Sequence, residues 1–173
     1  VWQIEASPIP ELAHLLPGGE NGLGEDVPNK HFINIYADYD FGKEPLTPAA
    51  TAAHMAILQR GLATSNEDPN IRCMPEGFPL MQTVPGPFKI VQTKDLTLVL
   101  AESNTTFRQI FTDGRPLPED PQPSWMGSSI GHWEGDTFVV QTVGFNDRAA
   151  LDAMGHLHST ALKVTERYRR RDY

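Results

Sequence analysis

Residues 131–158 read GHWEGDTFVVQTVGFNDRAALDAMGHLH, and the fold turns on them. Glu134-Gly135-Asp136 is a turn signal set between two extended runs, Ser128–Trp133 and Thr137–Val143. The second run is rich in Val, Thr and Phe, residues that suit a pleated, half-buried surface. Turns of the Gly-Asp type join antiparallel strands, so His132 is expected beside the Thr137–Val143 strand. The stretch also holds His132, His156 and His158, three of the six histidines, with Asp136, Asp147, Asp152 and Glu134. Imidazoles and carboxylates gathered in this way bind metal or move protons.

Strand signals continue on both sides. Towards the C-terminus, Ala161–Arg171 alternates, with Leu162, Val164 and Tyr168 on one side and Lys163, Thr165, Arg167 and Arg169 on the other. This predicts a strand, with a helix as the alternative. Towards the N-terminus, Phe88–Gln92 and Leu96–Ala101 flank Thr93-Lys94-Asp95 as a hairpin, and Thr105–Phe111 follows. A proline-rich connection, Pro116–Pro123, leads back to Ser128. Six strands joined mostly by hairpins predict a mainly β fold with minor α structure. The expected form is a curled antiparallel meander, a lipocalin-like barrel or half-barrel. Asn146 or Asp147 is placed to cap a short helix over Arg148–Met154 that ends at Gly155.

Residues 1–87 read as an arm, a helix and an irregular cover over a sheet spanning 88–173. Thr47 and Pro48 suit the N-cap and first position of a helix continuing through Ala49–Leu62. Ala50, Ala53 and Ile57, with Met55 or Leu58, make its narrow apolar face, and His54 falls at the border as a half-buried helix histidine. Phe32–Tyr39 is expected as a strand or an extended arm, and Glu11–Leu16 as a helical turn. Residues 65–87 carry no regular pattern. Cys73 lies there beside Arg72, an inert packed thiol or an activated one.

Length and composition bound the rest. At 173 residues the chain is expected to be one domain. Its 15 prolines and 14 glycines favour loops and strands over a helical bundle. A net charge of −8 argues against nucleic acid as a partner. The basic run Arg167–Arg171 is a local exception, a solvated strand end or an anion site. A single cysteine excludes an intrachain disulfide. No run approaches the roughly 20 apolar residues of a membrane span.

Three constellations carry candidate chemistry. In an extended segment His156 and His158 face one side. With His132, or with a carboxylate such as Glu134, Asp136 or Asp147, they could hold a divalent metal with an open position. Otherwise they are surface histidines or metal-free acid–base groups. Asp147 either caps the short helix or orients a neighbouring histidine as a base. Glu166 interrupts the apolar side of its strand between Val164 and Tyr168, and an inward-facing carboxylate must be paired. Arg108 is the expected partner, as a structural ion pair or as a ligand-anchoring or acid–base pair, with Trp133 and Tyr168 as further substrate-binding residues. Phosphate loops, nucleophile elbows, C-x-x-C and helix-borne H-E-x-x-H are absent, which disfavours phosphoryl transfer, dinucleotide chemistry and serine hydrolysis.

The blocks FRQIFTDGRPLPEDPQPSWMG, GHWEGDTFVVQTVGFNDR and GHLHSTALKVTERYRR, with IRCMPEGFP and PFKIVQT upstream, resemble a large bacterial family of exported proteins whose activity is uncharacterised. The resemblance covers roughly residues 66–173, with Val1-Trp2-Gln3 as a further likeness. It implies a periplasmic or secreted location and carries over no catalytic residue. Similar proteins continue past the equivalent of Arg170-Arg171-Asp172-Tyr173 with at least one more strand. Ending here would leave Ala161–Arg171 as an open edge, or paired in a homo-oligomer.

The leading expectation is therefore an enzyme acting on a small, partly apolar molecule. His132, Asp147, His156 and His158 would do the chemistry at one end of the sheet, with Arg108, Trp133, Glu166 and Tyr168 binding substrate. The alternatives are a non-catalytic β-barrel holding a small ligand in a pocket of Phe107, Phe111, Trp125, Trp133, Phe138 and Tyr168, or a structural subunit pairing through its open strand.

Overall fold

The computed structural model describes residues 34–60, 74–83 and 86–170. Helix α1 (Pro48–Arg60) and the short α2 (Leu80–Thr83) precede six strands, β1 (Phe88–Gln92), β2 (Leu96–Ala101), β3 (Phe107–Phe111), β4 (Ser128–Glu134), β5 (Thr137–Val143) and β6 (Val164–Arg169). These form one curled half-barrel sheet in the order β1-β2-β3-β4-β5-β6. The predicted turn at Glu11–Leu16 and Cys73 lie outside the described residues.

The hairpins follow from their turn chemistry. Thr93 closes the β1–β2 turn, its hydroxyl donating to the Leu96 carbonyl at 2.8 Å and accepting the Leu96 N–H at 3.1 Å. Gly135, at φ +63°, supplies the positive φ that a two-residue β4–β5 loop needs at its first position. One pair departs from the meander. β3 and β4 run parallel, with Ile110 opposite Ser129 and Phe111 opposite Ile130. The reason lies in the connection. Parallel neighbours need a crossover of about a dozen residues or more, and residues 112–127 with their four prolines are long and stiff enough to return the chain in the same direction.

Alternation sorts the side chains. Val99 on β2, Arg108 and Ile110 on β3, Ser129 on β4, Phe138, Val140 and Thr142 on β5, and Glu166 and Tyr168 on β6 face the concave side. Phe78, Met81 and Phe145 fill that side and pack with Val99, Ile110, Phe138 and Val140 as the core. Phe78 and Phe145 stack with centroids 5.8 Å apart. Phe107 and Phe111 alternate to the other face of β3, away from Arg108. They therefore do not share an interior pocket with Phe138 and Tyr168, and Phe107 is exposed.

Two local expectations fail for identifiable reasons. Residues 34–39 turn rather than extend, because the Asn34 side chain accepts the Tyr36 N–H at 2.8 Å and Tyr39 N–H bonds back to the Tyr36 carbonyl. No helix forms over 148–154. Asn146 accepts the Arg148 N–H at 3.0 Å in a local turn, and Ala150 bridges to Leu157 instead.

Candidate functional site

The predicted Arg108–Glu166 pair forms in the sheet interior. Arg108 is 1% exposed, and its Nη1 and Nη2 donate to Glu166 Oε1 at 3.0 Å and Oε2 at 2.5 Å. Nε donates to Ser129 Oγ at 3.1 Å, and Nη2 also donates to Thr142 Oγ1 at 2.6 Å. The Tyr168 hydroxyl donates to Glu166 Oε1. Burial first, and the Glu166 charge second, push the Tyr168 hydroxyl far above its ordinary pKa. The guanidinium lies over the Phe78 ring at 3.9 Å. Four of the five N–H donors that arginine carries are thus spent on protein oxygens, and the Phe78 ring covers its face. This network is closed on itself, as a structural ion pair should be.

A second buried polar group assembles where residues 34–60 meet the β5–β6 connection. Residues 152–156 wrap around the Asp152 carboxylate. Its Oδ1 accepts the N–H groups of Met154 at 3.1 Å and His156 at 3.2 Å, and Gly155 permits the turn with φ +80°. Oδ2 accepts the Ile35 N–H at 2.9 Å and meets His156 Nδ1 at 2.7 Å. Three backbone donors already point at this carboxylate, so it acts as an acceptor and Nδ1 carries the proton. In that tautomer Nε2 holds the lone pair, and it is buried with no hydrogen-bond partner among the described residues.

Two aromatic rings enclose His156. His54 of α1 stacks on it, with centroids 4.0 Å apart and planes 10° apart, and Tyr36 meets it edge-on at 4.8 Å. His54 Nδ1 is also buried, with no partner among the described residues. Burial, then the adjacent His156, hold the His54 pKa below its ordinary value, while Glu44, Asp152 and the Gly155 backbone oppose that shift. Burial, then the Asp152 charge, push the Tyr36 hydroxyl up. His54 is thus central to the buried side of its helix rather than at the border.

The other sequence candidates scatter. His132 is exposed on β4 opposite Val139, bonded through Nε2 to Glu134 at 3.1 Å. Arg167, and second His132, hold the Glu134 carboxyl below its usual range. His156 lies in the connection that leaves the far end of β5 at Val143. At about 3.3 Å per residue, roughly 13 Å of strand separates Val139 from that end. The expectation that His132 joins His156 at one end of the sheet therefore fails, because a two-residue hairpin leaves the strand's length between them. His158 Nδ1 meets the Ser159 carbonyl at 3.0 Å, its Nε2 is buried without a partner among the described residues, and its ring sits edge-on to Phe145 at 6.0 Å, a different environment from that of His156. Among the described residues no three His, Cys, Asp or Glu side chains gather in a group that could hold a metal ion. Asp147 is exposed, and Asp152 is the carboxylate that orients a histidine. Trp133 is exposed, away from the Arg108 network.

Sequence reasoning missed Asp152, His54 and Tyr36 as the partners of His156. The available signals were the four-residue spacing from Asp152 to His156 and a histidine set within the small-residue run of α1. Comparison with known proteins finds no matching family model, no matching curated protein and no matching solved structure. No helix among the described residues is long and apolar enough to cross a membrane.

Proposed function

We propose that the protein is an exported acid–base enzyme acting on a small, partly apolar molecule, with His156 as the proton-transferring group. One observation carries this reading. The Nδ1 side of His156 is fixed by Asp152 at 2.7 Å, while Nε2 is buried with no hydrogen-bond partner among the described residues. A carboxylate that fixes the tautomer and orientation of an imidazole is how enzymes ready that ring as a base. Asp152 is a positioning residue in this scheme. His54, kept neutral by burial, and Tyr36 provide an aromatic cage that accepts an apolar substrate face. His156 is only 2% exposed, so substrate reaches Nε2 when the cover of residues 34–60 shifts. The filled concave side of the sheet and the spent donors of Arg108 favour this site over a ligand held inside the half-barrel. Export rests on the resemblance of the sequence blocks, and recovery of the tagged chain from a periplasmic fraction or culture medium tests it.

The enzyme reading is tested with His156→Asn, whose amide still donates to Asp152 but has no counterpart of Nε2. Across a panel of small esters, epoxides and enolisable carbonyl compounds, wild type is expected to turn over at least one class. The variant should lose that activity with an unchanged circular dichroism spectrum. Activity retained by the variant, or a wild-type protein inert on every class, counts against the reading.

A further inference from the structure

A different part of the molecule is shaped to hold a ligand, at the end of the sheet opposite His156. Its construction begins with Gly131 on β4. A Cβ there would lie 2.5 Å from the Phe138 ring, so only glycine lets that ring lie across the strand. Phe138 in turn backs Trp133, with centroids 5.2 Å apart, and is itself braced by Tyr168 at 6.4 Å. Trp133 is thus held from behind by an aromatic row, yet it stays 57% exposed. An indole fixed on one side and open on the other is a stacking platform.

The platform faces an open cleft of about 380 Å³, lined also by Gln92, Lys94, Thr97, Thr112 and His132. That volume lies within the roughly 300–1,000 Å³ of small-molecule sites. Two features of the lining limit the occupant. First, the uncharged polar side chains are hydroxyls and an amide. The Thr112 hydroxyl donates to the Lys94 carbonyl at 3.3 Å, which anchors the wall and leaves the hydroxyl oxygen able to accept. Second, among the described residues the only ionisable side chains lining the cleft are Lys94 and His132, although the chain carries a net charge of −8. Lys94 forms no salt bridge among the described residues. A lysine without a carboxylate partner, beside hydroxyls and an open indole, complements a hydroxylated ring that bears an anion.

We propose that this cleft binds an acidic sugar. The apolar C–H face of the ring stacks on Trp133, ring hydroxyls meet Gln92 and Thr112, and the carboxylate meets the Lys94 ammonium. The site is independent of the acid–base centre, and its failure leaves that reading untouched.

The test uses the full-length ¹⁵N-labelled protein titrated with sodium glucuronate, with glucose and sodium benzoate as controls. The indole N–H signal of Trp133, assigned by its loss in Trp133→Phe, should shift saturably with glucuronate. Trp133→Ala should abolish binding, read from the backbone amides of Lys94 and Thr112, while the rest of the spectrum stays folded. Lys94→Gln should weaken glucuronate about tenfold, the scale of one charge-assisted contact, and bring it level with glucose. No saturable shift, equal wild-type affinity for glucose, or tighter binding of benzoate than of glucuronate would each overturn the proposal.

Discussion

Two buried polar centres lie among the described residues, and they differ in how completely their donors and acceptors are matched. In the sheet, Arg108, Glu166, Ser129, Thr142 and Tyr168 bond to one another and to little else. Under α1, Asp152 is equally well served by four donors, but the two rings beside it each keep a nitrogen with no partner among the described residues, His156 Nε2 and His54 Nδ1. Leaving a buried polar atom unmatched costs about 1–3 kcal/mol. The fold satisfies one centre and leaves the other short, and the proposed acid–base role rests on that difference. Both centres are buried, and the tally of donors and acceptors sets them apart.

The largest expected effect falls on the closed centre. Arg108→Met leaves Glu166 and the Tyr168 hydroxyl without their cation and should cost about 3–5 kcal/mol in urea denaturation, as for other broken buried pairs. Adding Glu166→Leu should recover much of that loss. A single substitution costing less than about 1 kcal/mol would mean that the pair is solvated after all. Asp152→Asn turns one acceptor into a donor facing N–H groups and should cost about 1–3 kcal/mol. It should also remove the activity sought in the substrate panel, whereas Arg108→Met/Glu166→Leu should spare that activity if the protein folds.

The pH dependence of stability should come from the open centre. The folded pKa of His54 is depressed, so the unfolded chain binds its proton more readily. The contribution is complete above the unfolded value of about 6.5 and is lost as pH falls through that value towards the folded one. His54→Phe keeps the stack on His156 and removes the titration, so its denaturation midpoint should fall less than that of wild type between neutral and mildly acidic pH. Parallel profiles for the two proteins would remove His54 from the account. The smallest effect is spectroscopic. Tyr168 should stay protonated through the range near ~10 where free tyrosines ionise, and an ultraviolet titration of wild type against Tyr168→Phe would show it missing from the ordinary transition.

The closed centre was legible in the sequence and the open one was not, for physical reasons. Strand alternation is a period of two, so Glu166 between Val164 and Tyr168 declared itself as an interior charge, and Arg108 at an inward position of another strand was its natural match. The strands β1, β2 and β5 were legible to the residue for the same reason, being bounded by turn residues on both sides. The open centre depends on contacts between segments with no shared period. Asp152 reaches His156 only because residues 152–156 wrap on themselves, and His54 reaches it from a separate helix. Asn146 and Asp147 were equal candidates to cap a helix, yet Asn146 makes a local turn and leaves Asp147 in solvent. The parallel β3–β4 pair was hidden because adjacent strands suggest a hairpin, although the length and prolines of residues 112–127 already spoke for a crossover.

The tautomer of His156 tests the central claim most directly. Long-range ¹H–¹⁵N correlation at neutral pH on protein labelled at histidine, with His156 assigned through His156→Asn, reports which ring nitrogen bears the proton. A protonated Nδ1 with a bare Nε2 is the predicted result, and Asp152→Asn should shift the pattern. A ring protonated at Nε2 with Nδ1 bare would contradict it, because the free lone pair would then face Asp152 and the reactive side of the imidazole would be blocked.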